Sequence, residues 1–254
     1  MPPQLQSARS NYLWSSALAE RAVRQAHKAE SAGSNAVAGV IVAHQATAAF
    51  HAPSAVSQML AEQGVEEAAQ ALLNSSAFTT QVSTLEAMLD AVTVQFEFDR
   101  LVQSMVQDAA RSAEQVATAV TPKVGFVRFL SPPSCSRCAV LAGRVYRYSQ
   151  GFLRHPGCDC TMVPTSLANP AYVHDPVDLM RQGLVTGLSK ADRKAIGDGA
   201  NFGQVVNVRS RTAGLATPGR VLERAGRPTP EAIYAAATSR DDAVQRLIAA
   251  GYVR

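Results

Sequence analysis

The sequence predicts a mainly α chain with a small β-containing module, an elongated helical region before that module and a short helical tail after it. Three observations predict this. Ala and Val dominate an apolar fraction of 47% while aromatics supply 6%, a composition suited to small-residue helix surfaces rather than a thick core. Helical periodicity runs through most of the first 122 residues. All four cysteines fall within residues 135–160, between stretches that alternate like strands.

The elements follow in chain order. Residues 11–32 read as helix, with Leu13, Leu18, Ala22, Ala26 and Ala29 on one face, and Gly33-Ser34-Asn35 ends it. Residues 36–50 read as helix or buried hairpin, and the surrounding pattern favours helix. Pro53-Ser54 supplies a start signal for a further helix over 55–73, where Val56, Met59, Leu60, Val65, Ala68 and Leu72 recur at helical spacing. The longest element is expected from Ser83 or Thr84 to about Ala119, carrying Leu85, Leu89, Val92, Phe96, Leu101, Met105, Ala109 and Ala113 as one stripe until Thr121-Pro122. Such a helix reads as one arm of an antiparallel bundle, ahead of an assembly surface.

After Pro122 the pattern changes. Residues 125–130 alternate as a strand, Pro132-Pro133 stops it, and residues 143–148 read as a second short strand. Residues 178–181 suggest a short helix, and Ser189-Lys190-Ala191-Asp192 is a capping box for another. Residues 207–228, rich in Arg, Gly, Thr and Pro, read as a linker. Thr229-Pro230-Glu231 and Ser239-Arg240-Asp241-Asp242 then open a pair of small helices. The division is therefore 1–122 helical, 123–175 a cysteine module, and 176–254 a basic helical tail with linker.

Charge follows the same division. Residues 1–122 carry 6 Lys/Arg against 11 Asp/Glu, and residues 123–254 carry 18 against 9. The two parts should face different partners, the second either a polyanion or, with its charge scattered, solvent. No run of eighteen apolar residues marks a membrane span. Met1-Pro2-Pro3-Gln4-Leu5-Gln6 has neither the basic start nor the apolar core of a secretion signal, so a reducing cytosol is expected. In that compartment clustered cysteines favour metal over disulfides.

The cluster reads Cys135-Ser136-Arg137-Cys138, sixteen residues, then His155-Pro156-Gly157-Cys158-Asp159-Cys160. Two thiolates two residues apart can grip one side of a tetrahedral Zn²⁺, and the second group supplies the other side. Cys135, Cys138, His155, Cys158 and Cys160 compete for four places. The preferred set is Cys135, Cys138, His155 and one of the last two, with Cys160 ahead of Cys158. Five soft ligands crowded together favour a closed structural site over a catalytic one, with Asp159 outside the ligand set. His27, His44, His51 and His174 read as ordinary polar residues.

At these residues the chain resembles the minor head proteins related to the F protein of phage Mu, in the form found in phages of actinobacteria. The features that carry the resemblance are Cys135-x-x-Cys138, Leu141-Ala142-Gly143-Arg144-Val145-Tyr146, and His155-Pro156-x-Cys158-x-Cys160 with Pro164 after it. The strand opening Gly125-Phe126-Val127-Arg128 and the segment from Thr229-Pro230-Glu231-Ala232-Ile233-Tyr234 to Gly251-Tyr252 add to it. The sequence departs from the commoner family ending, which has Asn and Arg flanking the fourth cysteine where this chain has Gly157 and Asp159.

The resemblance implies a low-copy structural protein that joins the procapsid near the portal, made in the host cytoplasm and retained in the capsid interior of the virion. It implies the portal protein or the major capsid protein as partner, with packaged double-stranded DNA nearby and no membrane. A second reading is a zinc-stabilised nucleic-acid-binding protein with no role in capsids, using Phe126, Phe129, Tyr146, Tyr148 and Phe152 between basic residues. A third is an enzyme, since some relatives carry fused catalytic domains. The tail after the module has no Ser/His/Asp set, HExxH motif or phosphate loop, so no catalysis is expected.

Overall fold

Alanine decides how the first half packs. In the computed structural model, which describes residues 5–65, 72–130, 132–147, 160–197, 202–203, 206, 233 and 236–249, the helices α1 (Gln6–Ala29), α2 (Ser34–Glu62), α3 (Val82–Asp90) and α4 (Gln95–Val120) form the N-terminal region. Ala22, Ala26, Ala38, Ala48 and Ala110 line their shared core, and Leu18, Ile41, Leu85, Val102 and Met105 fill the space between. Small side chains at the crossings let helix axes approach closely. α1 and α2 meet at Gly33, whose φ of +93° suits a residue without Cβ.

Two helix boundaries differ from the sequence expectation. α2 is one helix running straight through Pro53, not two with a start at Pro53-Ser54. Proline inside a helix costs about 3 kcal/mol. Val56, Met59 and Leu60 beyond it are all buried, and burial at about 1.5–3 kcal/mol for each such side chain outweighs that cost. Conversely, the expected long helix is two, because α3 ends at Asp90 and α4 begins at Gln95. The intervening Val92-Thr93-Val94 is β-branched and disfavours helix; Val94 is extended, with φ −112° and ψ 128°. Phe96 and Leu13, both expected on apolar stripes, are exposed.

α4 is buried on every side over residues 109–119. It packs against α1 and α2 in front and against the strands β1 (Val124–Phe129) and β4 (Thr161–Ser166) behind. Inside this core Asn11 donates to Glu114 at 2.7 Å. Burial pushes the Glu114 pKa up to about 7, against the opposing pull of Asn11 and Arg111.

The sheet runs β3-β1-β4, with β3 (Val145–Tyr146) and β4 both antiparallel to β1. β4 was not anticipated, and the expected strand over 143–148 contracts to β3. The register pairs Arg128 with Met162 and Phe129 with Thr161. Alternation splits the sheet's side chains. Val127 and Val163 pack with Leu5, Ala8, Ala55 and Met59 of the helices, while Phe126, Leu130, Cys160 and Met162 join a second core on the other face. Gly125 is confined by close approach, since a Cβ there would lie 2.4 Å from the Tyr146 carbonyl oxygen and 2.6 Å from Leu167.

The second core extends past residue 175, the expected module boundary. It takes in Leu179 and Met180 of α6 (Pro176–Arg181), Val185 of β5 (Val185–Thr186) and Ile196 of α7 (Lys190–Gly197). β5 pairs in parallel with β2 (Ser134–Cys135), opposite Cys135 at Thr186. The expected capping box forms reciprocally at α7, with Asp192 N–H donating to Ser189 Oγ at 3.1 Å and Ser189 N–H to Asp192 Oδ2 at 2.8 Å. The last described helix, α8 (Arg240–Ala249), starts at Ser239 as expected. Its Arg240 donates to the Val120 carbonyl at the end of α4 at 2.7 Å. The expected linker at 207–228 and the opening Thr229-Pro230-Glu231 lie outside the described residues.

Candidate functional site

Three of the five expected ligands are described, and different elements position them. Cys135 ends β2, whose backbone is held by Ser134 N–H donating to the Leu184 carbonyl at 2.9 Å. Its sulfur then caps α5 (Ser136–Ala142) by accepting from Cys138 N–H at 3.4 Å. A sulfur at a helix N-terminus faces partial positive charge, which favours the thiolate that binds metals. Cys138 lies in the first turn of α5 and is buried. Cys160, fully buried, immediately precedes β4. His155, Cys158 and Asp159 lie outside the described residues.

The structure brings Cys138 and Cys160 together, with their sulfurs 3.6 Å apart. That is far beyond a disulfide bond of about 2.05 Å, and Cys135, Cys138 and Cys160 are all free thiols. It is close to the edge of about 3.8 Å that two Zn–S bonds of about 2.3 Å subtend at a tetrahedral angle. Cys135 stands one helical turn away and serves as a cap. Among the described residues no group of three or more His, Cys, Asp and Glu side chains gathers in a geometry that would hold an ion. The described donors fit one edge of a zinc tetrahedron.

The side chain the sequence reading did not single out is Arg128. It is among the largest fully buried side chains, 1% exposed. Its Nη1 donates to Cys160 Sγ at 2.6 Å and lies 3.8 Å from Cys138 Sγ. A signal for this existed: with Phe126 and Leu130 as neighbours at i±2, strand alternation puts Arg128 on the apolar face. Tyr146 closes the same pocket, stacked on Phe126 at 5.1 Å and donating from its hydroxyl to the Leu141 carbonyl at 3.1 Å. Burial pushes its phenol pKa up, and Arg128 and Arg144 partly offset the rise. Phe126 and Tyr146 are thus engaged within the fold. Tyr148 and Phe152 lie outside the described residues.

The other histidines belong to the framework. His44 Nδ1 lies 2.8 Å from the Val40 carbonyl oxygen. His51 stacks on Trp14 at 3.8 Å, and burial lowers its pKa. His27 bonds Glu30 and reaches Asp99 across the α1–α4 interface at 2.9 Å. Its pKa is raised, first by the Glu30 hydrogen bond. His174 is half-buried, which lowers its pKa.

A family model described as VG15 protein matches residues 16–181. The chain belongs to the VG15 protein family. The VG15 family is of phage type, which makes this a phage protein. The VG15 match runs from within α1 to the end of α6, and so spans the helical region, the three-stranded sheet, Arg128 and all four cysteines. No curated protein and no solved structure matches the chain. Among the described residues, no helix is long and apolar enough to cross a membrane.

Proposed function

We propose that this VG15 protein is a non-enzymatic minor head protein of a tailed phage, which joins the procapsid near the portal and remains in the capsid interior. The observation that carries the reading is the Cys138–Cys160 sulfur pair beneath β1 and β4, inside a phage-type family match. Zn²⁺ would be held there by Cys138 and Cys160, with Cys135, His155 and Cys158 competing for the remaining places. When bound, its chemistry is that of a structural cross-link between segments distant in sequence. The short strands β2, β3 and β5, of two residues each, support a need for one.

The acidic helical region supplies the docking surface for the portal or major capsid protein. The basic half, with 18 Lys/Arg against 9 Asp/Glu after residue 122, faces packaged double-stranded DNA. Co-expression with portal and major capsid proteins tests the assignment. Incorporation into procapsids is expected, and a chain left entirely in the soluble fraction refutes it. Charge reversal at Arg209, Arg211 and Arg220, all outside the described residues, should weaken DNA retention at low salt and flatten its salt dependence. Selective binding of a naked oligonucleotide with no incorporation would instead favour a nucleic-acid-binding protein unrelated to capsids. The burial of Phe126 within the sheet core speaks against base stacking there.

A further inference from the structure

We infer that Arg128 is a positioning residue of the zinc centre, a built-in countercharge that holds the Cys138 and Cys160 thiolates in place for the ion. The inference rests on the zinc reading above. A guanidinium stays protonated in any protein environment. Burying one costs several kcal/mol unless negative charge accompanies it. The groups Nη1 touches are two sulfurs, Cys160 at 2.6 Å and Cys138 at 3.8 Å.

Charge counting shows why an arginine suits this position. Zn²⁺ with two thiolates is neutral, and every further thiolate adds one buried negative charge. If Cys135 joins Cys138 and Cys160, the centre carries −1 and Arg128 restores neutrality. A neutral fourth ligand keeps that balance, and a fourth thiolate breaks it. The strand supplies the geometry, since the β1–β4 register sets Arg128 opposite Met162, two residues from Cys160. Guanidinium and sulfur therefore meet whether or not an ion is bound, and the sulfurs stand 3.6 Å apart, close to the spacing that zinc requires.

The test is zinc stoichiometry and affinity, measured by competition with a chromogenic chelator on the full-length protein, for wild type, R128K and R128M. Wild type should bind one equivalent. R128K keeps the charge and should stay within about threefold of wild type, whereas R128M, apolar with a similar stem, should bind at least about tenfold more weakly. If R128M does not fold, R128Q takes its place against R128K. Equal affinity of the charged and neutral variants overturns the role of Arg128 while leaving the zinc reading intact. Absence of zinc from wild type overturns both.

Discussion

The two cores solve the same problem with different materials. Between α1, α2 and α4 the chain buries alanines and a few branched residues over helices of 24 to 29 residues. On the outer face of the sheet it buries three strands of two residues, an arginine and two thiols. Long helices satisfy their own backbone and bring enough apolar area to be stable by burial. Two-residue strands do neither, so that core depends on side-chain chemistry to connect its pieces. Stability in the first region should therefore respond to volume and charge, and in the second to whatever binds the sulfurs.

Chelation or C138S gives the largest separation between the two. The zinc reading predicts loss of bound metal and of hydrogen-exchange protection around β1, β4 and α5, with α1 and α2 still protected. Uniform loss over the whole chain would show a single cooperative unit. F78A is the counterpart in the helical region, since the fully buried Phe78 packs with Ala49, Ala52, Ala109 and Ala113. It should cost about 3–5 kcal/mol in chemical denaturation and leave metal content unchanged.

Next comes Glu114. Its folded pKa of about 7 lies above the ordinary 4.5, so the folded state binds more protons than the unfolded one and stability is lost as pH rises from about 4.5 through 7. The shift corresponds to about 3 kcal/mol. E114Q can still accept from Asn11, and it should match wild type near pH 4 while exceeding it at pH 8. Parallel pH profiles for the two proteins would show that Glu114 remains ionised in the core. G125A should cost about 1–3 kcal/mol by forcing β1 from β3, read as a thermal shift with α1–α4 unaffected.

His27 gives the smallest effect. Its folded pKa is raised, so the stabilisation from Glu30 and Asp99 is complete below the unfolded value and fades as pH climbs through the folded one. H27Q should remove that small, salt-sensitive slope, and an unchanged profile would assign it to other groups.

The helical fold class was legible because helix periodicity survives local interruptions. Boundaries were less so, because burial along α2 overrides Pro53 whereas Val92-Thr93-Val94 has no such burial to override its β-branching. The capping signals at Ser189 and Ser239 were reliable, being purely local chemistry. At the site, the sequence pointed to Cys135, Cys138 and Cys160 through their spacing. It could not order them by role, because that depends on β2 pairing with a strand 51 residues downstream of Ser134 and on Cys160 meeting the Arg128 side chain. Arg128 looked like part of a basic surface until the β1–β4 register turned it inward.

The bond from Arg240 to the Val120 carbonyl joins residues 120 positions apart. It caps α4 at the point where helices give way to sheet, with a cation at the negative end of the helix dipole. Order of synthesis and order of closure are thus reversed at this seam. The helices and strands emerge from the ribosome first, yet the carbonyl between them keeps water as its partner until α8 has been made. A chain interrupted upstream of Arg240 would carry both cores with the hinge between them unlatched, and a partner that reads this seam would distinguish finished molecules from partial ones.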